Sequence, residues 1–180
     1  MTRTVDAPRD VRPQLPSWLP YVAAGVALTG LGAASVWAAC HLASDRTLHD
    51  VALFAHLASL VVGFGAVITV DWAALLWLAG RCDLGQVLRQ AGLVHVPIWG
   101  GFAGLVLSGA LLEPDVTSPV TQAKLALVLL IGWNGLFAMW LHARLSEDPG
   151  RFRLGASAVT TSVSQVGWWG AMTIGFLNAG

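Results

Sequence analysis

The chain has 180 residues, of which 56% are hydrophobic and 11% are charged, and its formal net charge is zero. A soluble domain typically carries about 25% charged residues, so this composition, with a mean hydropathy of +0.66, indicates one integral membrane domain. Nucleic acid is excluded as a partner because no dense basic cluster occurs, and no phosphate-binding loop, dinucleotide fingerprint or HExxH motif supports nucleotide binding or soluble-type hydrolysis.

The first twenty residues differ from the rest of the chain. Residues 1–20 hold three arginines, two aspartates and four prolines, which predicts a solvated cytoplasmic tail that ends at an interfacial Trp18. A cleaved signal peptide is the competing interpretation of the apolar stretch that begins at Tyr21. This stretch is longer than an ordinary signal core, however, and the tail before it is unusually long.

Five apolar stretches, each long enough to cross a bilayer, follow one another from residue 21. Residues 21–180 are therefore predicted to form a single transmembrane domain with spans at about 21–42, 51–80, 87–112, 119–145 and 155–177. Each stretch is continuous rather than alternating with period two, which favours helices over barrel strands. The expected fold is all-α, with the first span beside a four-helix bundle formed by spans two to five.

The distribution of arginine predicts the orientation, because cytoplasmic loops are enriched in Lys and Arg. One side of the membrane receives the arginines of the tail and of two connections, namely Arg3, Arg9, Arg12, Arg81, Arg89, Arg144, Arg151 and Arg153. The other side has Arg46 and an acidic loop with Glu113 and Asp115. We therefore expect a multi-pass plasma membrane protein with a cytoplasmic N-terminus and an external C-terminus. Cys40 and Cys82 then lie on opposite faces and cannot form a disulfide.

The polar residues inside the predicted spans fall into two layers when depth is counted at about 1.5 Å per residue. The outer layer contains His56 and Lys124, each five residues inside its span, with His41, His49 and Gln122 close to the same level. The middle layer contains one polar residue from each of four spans, Asp71, His95, Asn134 and Gln165.

A carboxylate at the depth of Asp71 is costly in lipid, so we expect it to face the bundle interior and to find partners. Two helix faces support such an interior. Ser157, Thr161 and Gln165 form a polar stripe, and Gly100, Gly104 and Ser108 form a seam of small residues. Pro97 leaves the carbonyl of Leu93 without its helical donor, beside His95.

The middle layer has two interpretations. Asp71 and His95 could act chemically, as a proton relay or by orienting a ligand. The same four side chains could instead form interhelical hydrogen bonds that only stabilise the packing of the helices. In the outer layer, His56 has three interpretations: a hydrogen-bonded core histidine, a metal ligand or a proton-transfer group. Lys124 has two: a functional residue, or a side chain whose ammonium group extends to the outer interface. His142 is expected at the inner interface.

Residues 50–178 resemble the four-helix membrane protoporphyrinogen oxidases of bacterial haem synthesis and the related CopD-like copper-resistance membrane domains. The resemblance lies in His56 at the outer start of a helix that ends "LLWLAGR", in "KLALVLLIGWNG" from Lys124, and in "GRFR" before the last span. It implies a b-type haem with His56 as the iron ligand. The family usually has a histidine two residues before the lysine, where this chain has Gln122.

Two functions from different classes remain open. The first is a haem-binding membrane redox protein, in which His56 ligates the iron, His41, His49 or no residue supplies a second ligand, and Lys124 pairs with a propionate. It would work with a membrane redox partner or as a homo-oligomer. The second is a small-solute or proton permease, or an accessory membrane subunit, that uses Asp71 and His95 as its polar path.

Overall fold

Six helices make up the structure, a computed structural model that describes residues 16–147 and 150–177 apart from the side chains of Ser146 and Glu147. The helices are α1 (Leu19–His41), α2 (Arg46–Leu78), α3 (Leu84–Leu93), α4 (His95–Ala110), α5 (Pro119–Glu147) and α6 (Arg151–Leu177). No strand occurs in the described ranges, and the predicted all-α class is confirmed for them. Most of the predicted cytoplasmic tail, residues 1–15, lies outside the described residues.

Three of the described helices are long and apolar enough to cross a membrane, namely α1, α2 and the portion of α5 up to Leu145. A fourth span results if α3 and α4 are counted together, since the two pass the same test as a pair with a bend of 44° between them. Helix α6 has 27 residues but is not among the candidate spans, because arginines and hydroxyl side chains reduce its apolar character. The chain is thus a helical bundle suited to a membrane.

The predicted continuous span at 87–112 is interrupted at Val94, where α3 ends and α4 begins. Pro97 explains the position of the break, because it has no N–H for the carbonyl four residues earlier and its ring crowds that carbonyl. The α3–α4 break therefore falls three residues before Pro97 and places His95 at the first position of α4.

Local capping explains why several helices begin earlier than predicted. The Asp45 carboxylate accepts a hydrogen bond from the Leu48 N–H at 2.7 Å, so α2 starts at Arg46 rather than near residue 51. Asp83 and Gln86 form a capping box that starts α3. At the end of α2, Gly80 has a φ of +68°, and the Arg81 N–H donates to the Leu76 carbonyl at 2.8 Å, which closes the helix in a Schellman motif.

Helices α2 and α4 form the first of two tightly packed pairs. Their backbones approach most closely at Gly63 and Gly101, where a Cβ added to Gly101 would lie 2.5 Å from the Gly63 nitrogen. The small-residue face on α4 is therefore Gly101, Gly104 and Ser108. Gly100 was predicted in this face but is exposed, and a Cβ there would meet nothing within 4 Å.

Helices α5 and α6 form the second pair, in which Gly167 receives the side chain of Ile131. Helix α1 packs on the outside of α5 and α4. Its buried Gly25 lies under the ring of Trp133, and the indole N–H of Trp133 donates to the Thr29 hydroxyl at 3.1 Å. Helix α1 thus packs against α4 and α5 from outside the two helix pairs.

Large apolar side chains join the two pairs, and we call Phe64, Phe102, Ile131 and Trp168 the aromatic layer. All four are buried and belong to one core cluster. The rings of Phe64 and Trp168 stack with their centroids 5.6 Å apart. Phe64 lies eight residues after His56 and seven before Asp71, which is roughly 12 Å from His56 and 10 Å from Asp71 along α2. The aromatic layer therefore lies between the two predicted polar layers.

The outer surface of the bundle is apolar. Val96 is 81% exposed, Val61 is 73% exposed and Phe54 is 74% exposed, a distribution expected when lipid rather than water surrounds the helices. At one end of the bundle, the Arg144 guanidinium donates to the Ser17 hydroxyl at 2.6 Å. At the other end, the Ser44 hydroxyl donates to the Glu113 carboxylate at 2.8 Å.

Candidate functional site

A cavity of about 220 Å³ lies between the two helix pairs, beside the aromatic layer. It extends from Trp99, Phe102 and Trp168 towards Val87 and Leu145. Five helices, α2 to α6, contribute to its wall. Its polar lining consists of Asp71, His95, Asn134, His142, Ser157, Thr160, Thr161 and Ser164. Three of the four residues predicted for the middle layer thus line one cavity, and the fourth, Gln165, lies directly behind it.

Asp71 is held from behind by α6. The Gln165 side-chain amide donates to Oδ2 of Asp71, and the Gln165 oxygen accepts a hydrogen bond from the Trp169 indole N–H at 3.0 Å. This chain of contacts orients the carboxylate. The second carboxylate oxygen, Oδ1, has no hydrogen-bond partner among the described residues. Asp71 therefore presents one free acceptor to the cavity.

Asn134 is fixed in a similar way. Its side-chain N–H donates to the backbone carbonyl of Thr160 at 2.8 Å, while the Thr160 hydroxyl is turned away to the Ser157 carbonyl at 2.8 Å. The carbonyl oxygen of the Asn134 side chain has no partner within the described ranges. Asn134 thus uses a donor to bind α6 and keeps an acceptor available.

His95 owes its place to the α3–α4 break, because it begins α4 at the cavity wall. Its Nε2 atom is buried and has no hydrogen-bond partner in the part of the chain that the structure describes. A buried polar atom without a partner costs free energy unless a ligand or water satisfies it. His95 is therefore the group in this cavity that most directly indicates a missing partner.

Three cavity residues were not predicted. Thr160 and Ser164 lie four apart on α6, beside the predicted Ser157 and Thr161, so helical periodicity could have found them. His142 was predicted at the inner interface but also lines the cavity. Its position depends on how α5 is rotated against α3, which periodicity in an apolar helix does not determine.

His56 lies on the other side of the aromatic layer and contacts α4. Its Nδ1 is 3.0 Å from the Ser108 hydroxyl oxygen, and that hydroxyl donates to the Gly104 carbonyl at 2.5 Å. Since the hydroxyl proton is already used, Ser108 accepts a hydrogen bond from Nδ1–H. The Nε2 atom of His56 then carries the lone pair, which is the form that could bind a metal.

Of the other predicted haem residues, Lys124 lies close enough to His56 to interact with it electrostatically. His41 is exposed and contacts the Trp37 carbonyl of its own helix at 2.8 Å. His49 lies seven residues before His56, or roughly 10.5 Å along α2. The Lys124 ammonium packs near Gly175 of α6, 3.3 Å from where a Cβ would be. None of these residues lines the cavity.

Two further expectations concern ligands and cysteines. Among the described residues, no group of three or more His, Cys, Asp or Glu side chains could hold a metal ion. His56 offers one imidazole nitrogen, Nε2, as a candidate haem ligand. Cys40 and Cys82 are both free thiols.

Comparison with known proteins gives no family assignment. No protein-family model, no curated protein and no solved structure matches the chain. The site must therefore be interpreted from its own residues.

Proposed function

We propose that the chain is a permease-type protein of the plasma membrane, in which the cavity lined by Asp71, His95 and Asn134 binds a small polar solute. The observation that carries this proposal is that two polar residues line one cavity and each has an atom without a hydrogen-bond partner among the described residues, namely the buried Nε2 of His95 and Oδ1 of Asp71. Ionisable residues inside membrane bundles typically mark substrate or proton pathways. Each of the two groups would be costly there without a ligand or water.

The α3–α4 break provides a second argument. Binding sites in membrane transporters are often formed where a transmembrane helix is interrupted, since the interruption exposes backbone and polar side chains to a cavity. Here the interruption at Val94 lies beside His95 and bends the span by 44°. A chain held together only by hydrophobic packing would gain nothing from a bend that leaves an imidazole nitrogen unpaired.

The topology in this proposal has five spans, with α6 as the fifth. Helix α6 is less apolar than α1, α2, α4 and α5, and its Ser157, Thr160, Thr161 and Ser164 side chains line the cavity. Val159 and Val166 on its outer face are 63% and 68% exposed. Such a helix can cross a bilayer when its polar face is covered by other helices. The arginine distribution then places the N-terminus in the cytoplasm and the C-terminus outside.

The aromatic layer suggests how passage would be controlled. It lies between the cavity and the outer polar residues His56 and Lys124, so a solute in the cavity would reach the outer side only if Phe64 and Trp168 moved apart. Side chains of both helix pairs meet in this layer, and a relative movement of the pairs would open it. Alternating access of this type is a common mechanism of secondary transporters.

Flux through reconstituted protein tests the proposal. Liposomes containing the full chain would be compared with empty liposomes for osmotic swelling in small cationic, neutral and anionic solutes, and for proton entry with a trapped pH dye. We expect at least one of these to enter faster, with Asp71→Asn and His95→Gln lowering the rate about tenfold, the effect of losing roughly 1.4 kcal/mol. Asp50→Asn, an exposed aspartate on the same helix, is the matched control. Rates equal to those of empty liposomes would contradict the proposal, and proton entry alone would assign a proton relay.

The haem interpretation keeps a separate and direct test. The purified protein would be examined by visible absorption, oxidised and dithionite-reduced, and by a pyridine haemochrome assay. A Soret band at one haem per chain that changes in His56→Ala would support a b-type haem on the free Nε2 of His56, with Lys124 near a propionate and a membrane redox partner. A colourless protein after haem is supplied during expression would contradict it. No step of the proposed permease function depends on haem.

A further inference from the structure

We infer that the solute bound in the cavity is a small organic cation, a protonated amine with an apolar or aromatic body. This inference rests on the proposed function and specifies the chemical class of its solute. It is drawn from three properties of the cavity, which are its charge, the type of hydrogen-bonding atom that remains free, and the side chains of its apolar wall.

The charge of the cavity is negative. With histidine counted as neutral, Asp71 contributes a negative charge to the lining. No Lys or Arg is among the described residues that line the cavity. Among the described residues, the Asp71 carboxylate receives one neutral hydrogen bond, from Gln165, and makes no ion pair. A carboxylate inside a bundle is most strongly stabilised by a cation, and this cavity leaves the place of that cation open to a solute.

Asp71, Asn134 and His95 offer the cavity acceptor atoms, beside the hydroxyls of Ser157, Thr161 and Ser164, which can donate or accept. Gln165 and Asn134 each use one side-chain N–H to bind a protein atom, and Oδ1 of Asp71 and the side-chain oxygen of Asn134 are unpartnered among the described residues. The Nε2 of His95 is a third unpartnered atom, and it accepts a hydrogen bond when the imidazole is protonated on Nδ1. An ammonium group has three N–H donors and no acceptor, so it complements this set.

The apolar wall and the volume fit the rest of such a molecule. Trp99, Phe102 and Trp168 line the cavity, and the faces of tryptophan rings attract cations as well as apolar groups. A cavity of about 150 Å³ in another protein admits benzene, and the volume here is about 220 Å³. A single ring with a one-carbon ammonium arm is therefore of suitable size.

Three probes of one shape and different charge test the inference. Benzylammonium, benzyl alcohol and benzoate would be titrated by calorimetry into the purified full chain in detergent at neutral pH, with protein-free micelles as the blank. We expect benzylammonium to bind roughly 10-fold to 100-fold more tightly than benzyl alcohol, the range given by hydrogen bonds to charged groups. Benzoate should bind more weakly than either.

Variants then assign the preference to Asp71. Asp71→Asn keeps an oxygen for Gln165 and should remove the advantage of benzylammonium over benzyl alcohol, whereas Asp50→Asn should leave it unchanged. Ser164→Phe fills the cavity and should abolish binding of every probe, whereas Ser162→Phe, exposed on the same helix, should not.

The outcomes separate the inference from the proposed function. If benzyl alcohol or benzoate binds as well as benzylammonium, and Ser164→Phe blocks it, the cation inference is overturned while the cavity remains a solute site. A preference for benzylammonium that persists in Asp71→Asn also overturns the inference. If none of the three probes binds at millimolar concentration, both the inference and a solute site of this size are overturned.

Discussion

The contact between Gly63 and Gly101 allows a stringent test of the packing of α2 on α4. In Gly101→Ala the new Cβ would lie 2.5 Å from the Gly63 nitrogen and 2.7 Å from the Ser59 carbonyl oxygen. Both atoms belong to backbone and cannot rotate away. Since atoms in favourable contact lie about 3.5 Å apart or more, the two helices must separate by roughly 1 Å at this point.

The expected cost follows from that displacement. Overpacking of a close-packed interior typically costs about 1–3 kcal/mol, and we expect Gly101→Ala at the upper end because only whole helices can move. The adjacent Gly100→Ala is the matched control, since a Cβ there meets nothing within 4 Å, and it should stay within about 0.5 kcal/mol of the native protein. Gly104→Ala should fall between them, because its Cβ meets the Ser59 hydroxyl, which can change rotamer, and the Ser59 Cβ at 2.9 Å, which cannot.

Unfolding of the purified protein by SDS in mixed micelles, followed by tryptophan fluorescence, gives the free energies. The expected order of stability is Gly100→Ala, then Gly104→Ala, then Gly101→Ala. If Gly101→Ala were as stable as Gly100→Ala, the backbone contact between α2 and α4 would be wrong, and so would the placement of the aromatic layer that depends on it.

The remaining predictions concern α1, the outer loop and the aromatic layer. Gly25→Ala places a Cβ against the Trp133 ring, so it should lower the free energy of SDS-induced unfolding by about 1–3 kcal/mol. Gly30→Ala, at an exposed position, should not lower it. Equal stabilities of the two variants would contradict the docking of α1 on α5. Hydrogen bonds from the Ser44 N–H and hydroxyl lower the pKa of Glu113 below its usual value of 4.5, so their stabilising effect is present above pH 4.5 and is lost as the pH falls through the lowered pKa. Thermal unfolding of the native protein should therefore lose its advantage over Glu113→Gln in acid, and a constant difference would contradict this assignment. Phe64→Ala removes a ring stacked on Trp168, and its cost, about 3–5 kcal/mol for a buried aromatic, should exceed that of exposed Phe54→Ala in the same assay.

Much of the candidate site could be predicted from depth along the helices. Asp71, His95, Asn134 and Gln165 lie at a similar distance from the helix ends, and the structure brings all four to one cavity or directly behind it. Depth succeeds because rise per residue is nearly constant in a helix. It does not give rotation about the helix axis, which is why Thr160, Ser164 and His142 were missed and why Gly100 was expected in a contact that Gly101 makes.

The sequence by itself predicted helices suited to a membrane, the all-α secondary structure and the positions of the polar residues along the helices, because these depend on composition, continuous apolar stretches and helical rise. Only the tertiary structure decided that α2 pairs with α4 and α5 with α6, that an aromatic layer separates His56 from Asp71, and that the span containing Pro97 is broken at Val94. Apolar helices present similar faces to lipid and to one another, so their sequences only weakly specify which faces meet. Contacts such as that of Gly63 with Gly101 make this choice, since close approach of two backbones is possible only where neither carries a side chain.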